Sequence, residues 1–207
     1  VRTSPKGGLS GEDARPVRTR TRGRTTPMAD VGVRPARRAD AAAVADIQVR
    51  TWRHAYRDLL PAAVLDAVTA PDARETWRER WAEAAAAPPS PRHRLLVAVA
   101  SDLVVGFAAH GPSEDGDRDP ATTAELIALL VDPLHARAGH GSRLLAATVD
   151  LLREDGTATL VSWAFEGDEV TRAFLGSAGW APDGTARTLD MGEPVRQVRL
   201  HTDISVP

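Results

Sequence analysis

VDPLHARAGHGSRLLAATVDLLRE, Val131 to Glu154, is the stretch on which the reading of this chain turns. The run that leads into it, Leu126 to Val131, is apolar at every residue, as in a central strand covered on both faces. Gly139-His140-Gly141 comes next. Leu144, Leu145, Val149 and Leu152 then recur as the inner face of a helix over Gly141 to Glu154. A helix N-terminus offers unpaired N–H groups and partial positive charge, and glycine lets a ligand approach the backbone. Phosphates bind at such places. Two commoner phosphate loops are excluded. No Gly-Lys-Ser/Thr is present, and no third glycine completes a dinucleotide fingerprint. On spacing alone, a structural turn and an anion site both stand.

Outward from this stretch the patterning is regular. Gly32 to Ala36 reads as a first strand, and Asp40 as the N-cap of a helix carrying Val44, Ile47, Val49 and Trp52. Pro61 opens a second helix. Pro71-Asp72 opens a third, with Trp77 and Trp81 at i, i+4. Leu95 to Ala100 and Leu103 to Ala109 form a hairpin across Ser101-Asp102. Gly111 to Thr122 is a polar loop. Thr159 to Ala164 is a strand, Asp168 caps a short helix that Gly179 stops, and Val195 to Ile204 is the last strand, with another near Arg187 to Met191. Strands and helices interleave without strict alternation. The expected fold is α+β, a mixed and mostly antiparallel sheet of six to seven strands flanked by helices.

The chain of 207 residues suits one domain plus a tail, and its net charge of −2 gives no cause to expect nucleic acid as a partner. It contains no cysteine, which excludes disulfides, thiol catalysis and Cys-ligated zinc; a reducing cytoplasm is the expected compartment. No apolar run approaches the ~18 residues of a membrane span, so no membrane partner is expected. Residues 1–30 are Arg-rich and aperiodic and read as a disordered extension, with translation expected to start at Met28. Lys6 is the only lysine among many arginines, a bias that resembles a G+C-rich genome.

AELIALLVDPLHARAGHGSRLL resembles motif A of the GNAT superfamily of N-acetyltransferases, with Val131-Asp132-Pro133, Gly139, Gly141 and Leu144-Leu145 at matching places. TWRHAYRDLLP, Thr51 to Pro61, is similar to the first-helix signature of one bacterial branch. VVGFAAHGPS, Val104 to Ser113, resembles its third strand and loop, and EGDEVTRAFLGSAGWAPDG, Glu166 to Gly184, resembles motif B. The likeness spans residue 31 to the C-terminus, the expected N-acetyltransferase domain. It implies acetyl-CoA as cofactor, its pyrophosphate held by N–H groups of Arg137, Ala138, Gly139, His140, Gly141 and Ser142. It also implies main-chain contacts at Leu130 or Val131 for the acyl oxygen, and Asp168 near the pantetheine. Dimerisation is a habit of the family.

Acetyl transfer to an amine needs a neutral nitrogen, while a free alkylamine titrates near 10.4, so a base must remove a proton. Glu125 opens the apolar strand and matches the general-base glutamate of histone-acetylating members. A solvated strand-start carboxylate is the alternative. The tyrosine that often protonates the departing thiolate is replaced by Leu175. Either Tyr56, the chain's one tyrosine, serves instead, or solvent does. As an alternative to catalysis, Tyr56 is a packed aromatic. Trp52 and His110 are expected to touch the acceptor, a small-molecule or peptide amine. Three departures from the family pattern, Ala136, Leu175 and Asp168, keep a second reading open: an acyl-CoA-binding or interaction module without turnover. His135 and His140 lack the carboxylates of a metal site, no HExxH occurs, and Ser142 lacks a nucleophile elbow. No metal is expected.

Overall fold

The structure, a computed structural model, describes residues 31–205; the expectations for residues 1–30 lie outside them. Strand β1 (Val31–Pro35) is followed by helices α1 (Ala41–Ala55), α2 (Ala62–Val68) and α3 (Pro71–Ala86). Next come β2 (Arg94–Ala100), β3 (Leu103–Pro112), β4 (Thr123–Val131), α4 (His140–Glu154), β5 (Thr159–Phe165), α5 (Glu169–Ser177), β6 (Ala181–Asp190) and β7 (Pro194–Asp203). The seven strands form one sheet in the order β1-β2-β3-β4-β5-β7-β6. Only β4 and β5 run parallel; every other pairing is antiparallel, as the sequence predicts.

Both faces of the sheet are covered. Leu144, Leu145 and Leu152 of α4 and Leu175 of α5 pack on Leu96, Val105, Ala108, Ala124, Leu126 and Leu160. On the other face Val44 and Ile47 of α1 and Trp81 of α3 pack on Leu95, Val97, Phe107 and Ala109. Trp52, Trp77 and Trp81 belong to this helical layer. Trp81 Nε1 donates to Gln48 at 2.5 Å, Trp77 Nε1 donates to the Val68 carbonyl at 3.0 Å, and Trp52 meets Trp77 edge-on.

Three local expectations need correction. The Asp40 carboxylate does not cap α1; it accepts from the Arg34 guanidinium at 2.7 and 2.9 Å and from the Arg37 N–H at 2.7 Å. An ion pair with two parallel hydrogen bonds outcompetes a single capping bond. The stretch Leu126 to Val131 is not covered throughout. Leu126 is buried, but Ile127 is a bulge opposite the Ala109/His110 step and is 56% exposed. Finally, β6 starts six residues earlier than Arg187, at Ala181. Its register against β7 jumps between Pro182 and Ala186, so Asp183, Gly184 and Thr185 form a bulge within the strand.

Candidate active site

The site grows from the place where β4 parts from β5. Their parallel pairing lasts for Thr123, Ala124 and Glu125, opposite Thr159, Leu160 and Val161. The bulge at Ile127 then twists β4 away, and the Ser162 hydroxyl donates to the Leu126 carbonyl at 2.8 Å, one residue beyond the last pair. From there to Val131 no strand pairs with this edge among the described residues. Asp132 N–H donates to the Val105 carbonyl, and antiparallel pairs alternate in their bonding. Leu130 is therefore turned to β3, and the N–H and C=O of Leu129 and Val131 face the open edge. The Val131 carbonyl there accepts from the Thr51 hydroxyl at 3.3 Å. Of the two main-chain positions expected to meet an acyl oxygen, Val131 points into the gap and Leu130 does not.

The gap ends at the Gly-rich turn. Asp132 accepts from the Leu134 N–H at 3.0 Å and from Arg50 at 2.5 Å, which fixes the turn to α1. Arg137 and Gly139 both take left-handed backbone, with φ of 63° and 79°. Glycine adopts this freely, whereas Arg137 does so at a cost. Gly139 is the N-cap of α4, and the Arg143 N–H is the first to reach back, to the Gly139 carbonyl. The N–H groups before it have no carbonyl one turn behind them, as at any helix start. The first turn carries no acidic residue, and Arg143 lies across it, donating to the Ala138 carbonyl at 2.9 Å. Ala136 is exposed, so its missing side chain leaves the main-chain donors in place. His140 is buried, and burial, then Arg143 and His135, push its imidazole below its ordinary pKa. Together, the open strand edge and this turn fit a ligand with an amide-bearing arm and a pyrophosphate.

Glu125 sits at the closed end of the gap, on the face covered by α1. Burial raises its pKa, Asp115 and Glu114 add to the rise, and Arg187 opposes it. Trp52 and Tyr56 project from α1 over the same face, where Tyr56 packs edge-on against Phe165 with centroids 5.1 Å apart. Burial, with the charge of Asp168 adding, pushes the Tyr56 phenol up to about 12. Asp168 accepts from the Thr171 N–H at 2.9 Å, the capping role its position suggests. His110 is a correction. It continues the face of Gly106 and Ala108 beneath α4, opposite to Glu125, and is 1% exposed. Burial lowers its pKa to about 4, and neither ring nitrogen has a partner among the described residues.

One group escaped the sequence reading entirely. Arg199 of β7, 1% exposed, uses all five of its N–H donors. They go to Asp183 (2.7 Å), Asp115 (2.9 Å), Asp117 (2.7 and 2.6 Å) and the Thr185 hydroxyl (3.0 Å). Arg118 adds a bond to Asp183 at 2.6 Å. Burial works against the Asp183 charge, but donation from Thr185, Arg199 and Arg118 outweighs it and holds the carboxyl at about 2. This cluster pins the loop after β3 to the β6 bulge. The one available signal was an arginine at an inward position of β7, two residues beyond the buried Gln197. No cluster of metal-ligating side chains occurs among the described residues, and no helix among them is long and apolar enough to cross a membrane.

Comparisons with known proteins agree with this architecture. N-acetyltransferase YuaI of Bacillus subtilis, itself uncharacterised, is 28% identical over 141 residues, 66% of this chain and 72% of that one. The PaiA N-acetyltransferase of Thermoplasma acidophilum, solved in complex with coenzyme A, superposes with a TM-score of 0.67 at 16% identity, covering 84% of this chain and 98% of that one. YncA of Salmonella typhimurium, solved with its cofactor acetyl-CoA, gives a TM-score of 0.61 at 21% identity, covering 86% and 95%. The sequence profile of the acetyltransferase (GNAT) family matches residues 49–180, and with the parted β4–β5 pair and the left-handed glycine at the mouth of α4, it establishes that the chain belongs to this family of N-acetyltransferases.

Proposed function

We propose that the protein transfers an acetyl group from acetyl-CoA to an amine by direct attack within a ternary complex. The observation that carries this reading is the open edge of β4 running straight into the N-terminus of α4. Val131 and Leu129 offer N–H and C=O groups to the amide-bearing arm, and the N–H groups of residues 137–142 offer the pyrophosphate a cradle. Acetyl-CoA supplies the activated acyl group. Glu125 takes the amine proton, directly or through water, and its raised pKa brings it closer to the task than a solvated carboxylate. A β4 N–H facing the gap meets the acyl oxygen. Tyr56, at about 12, is a poorer acid than free tyrosine, and a thiol near 8.5 is a tolerable leaving group, so we assign the last proton to solvent. We place the reaction in the cytoplasm.

Leu175 favours a second reading. It occupies the place of the usual tyrosine and is packed into the core, as expected of a chain that binds acyl-CoA without turnover. A thermal melt with acetyl-CoA, with dephospho-CoA and ATP as controls, is paired with a transfer assay on a panel of amines. Ligand at about 100 Kd adds roughly 2.7 kcal/mol, several degrees for a domain of this size. A shift with transfer supports the enzyme. A shift without transfer to any amine supports the binding module. No shift at millimolar ligand removes both.

A further inference from the structure

The acceptor's chemistry can be read from the charges left over on the Glu125 face. Register places Val161, Trp163, Arg199, Gln197 and Arg187 on that face with Glu125. The loop above it carries Glu114, Asp115, Asp117 and Asp119, which by sequence are either solvated loop charges or an acidic rim suited to a cationic amine. The structure pairs two of these four with a cation: Asp115 and Asp117 bind Arg199, whereas Asp119 accepts from the Ala121 N–H. Glu114, Asp119 and Glu125 remain as acidic charges without a cation partner among the described residues.

Opposite them stands Arg187. Its guanidinium lies 4.2 Å from the centroid of the Trp163 ring, and its Nε donates to Gln197 at 2.7 Å. Stacking and this bond fix the plane, while the terminal nitrogens have no hydrogen-bond or ion-pair partner among the described residues. A held guanidinium with a vacant fork is the geometry that takes a carboxylate through two parallel bonds. Trp163 is one strand across from β4 and two residues beyond the Glu125–Val161 pair. At strand spacings of ~4.8 Å and ~3.3 Å per residue, the Trp163 backbone is on the order of 8 Å from that of Glu125, with both side chains on the same face. An amine at Glu125 and a carboxylate at Arg187 can therefore belong to one small acceptor.

We propose that Arg187 binds a carboxylate of the acceptor, and that the acceptors are amino acids or related small amines carrying a carboxylate. The proposal rests on the acetyl-transfer reading. Peptide N-termini, whose nearest carboxylate is remote, are then poor acceptors. The test measures kcat/KM of the full chain for amino acids, each paired with its decarboxylated amine. The expected preference for the amino acid is tenfold or more, falling to about one in Arg187→Gln and to an intermediate value in Arg187→Lys, which keeps the charge and loses the fork. A wild-type ratio near or below one, or a wild-type ratio retained by Arg187→Gln, overturns the proposal. Absence of transfer to every panel member, with acetyl-CoA still raising the Tm, overturns it too. Absence of the acetyl-CoA shift instead overturns the transferase reading beneath it.

Discussion

Arg199→Met keeps an unbranched side chain and removes a buried guanidinium. Removing one partner of a buried ion pair costs roughly 3–5 kcal/mol, because the other charges stay behind without a counter-ion. The three carboxylates left here differ. Asp117 is 58% exposed and rehydrates. Asp183, 8% exposed, keeps Arg118 and the Thr185 N–H, and Asp115, 17% exposed, keeps only the Trp163 Nε1 at 3.3 Å. The lower end of the range, about 3 kcal/mol, is therefore expected, which lowers the Tm by roughly 6–12 °C for a domain of this size. Acid supplies an internal check. The Asp183 carboxyl is depressed from 3.8 to about 2, so its stabilisation is fully present above 3.8 and lost as pH falls towards 2. That depression corresponds to roughly 2 kcal/mol. The gap between wild type and Arg199→Met should accordingly be widest near pH 7 and narrow steadily below pH 4. Urea unfolding followed by tryptophan fluorescence at pH 7, 4 and 3 measures it. A gap under about 1 kcal/mol at pH 7 would show that the desolvation of the cluster cancels its attraction, and a gap that does not narrow in acid would refute the role given to Asp183.

Glu125→Gln should lower kcat/KM by about 10²–10⁴-fold and abolish the acidic limb of the pH profile. That limb lies above the ordinary carboxylate range, because the ionised form is the active one and burial raises its pKa; an unchanged profile removes Glu125 from the mechanism. Gly139→Ala places a β-carbon on a residue at φ 79°, with the end of the long Arg143 side chain 3.1 Å away, so backbone strain of about 1–2 kcal/mol dominates. Calorimetric titration with acetyl-CoA should show weaker binding in step with that strain. Tyr56→Phe should keep kcat within about threefold, since a phenol near 12 is a poor donor to a thiolate; a loss of a hundredfold would return the proton to Tyr56.

The sequence by itself determined the fold class, the strand-turn-helix at Val131 to Glu154 and the capping of α5 by Asp168. Each rests on residues close together in the chain, whose periodicity and turn chemistry are local properties. Tertiary structure alone decided which side of the sheet a strand residue faces. Glu125 and His110 are both at strand positions near the same loop, yet pairing puts one in the cleft and the other beneath α4. It also decided that the apolar run of β4 opens at Ile127, because the loss of pairing with β5 is a relation between two strands and leaves no mark on either sequence. The Arg199 cluster shows the same limit most clearly. Its partners lie 14 to 84 residues away, and the acids of the loop could be told from a solvated rim only once β6 and β7 had brought a guanidinium to them.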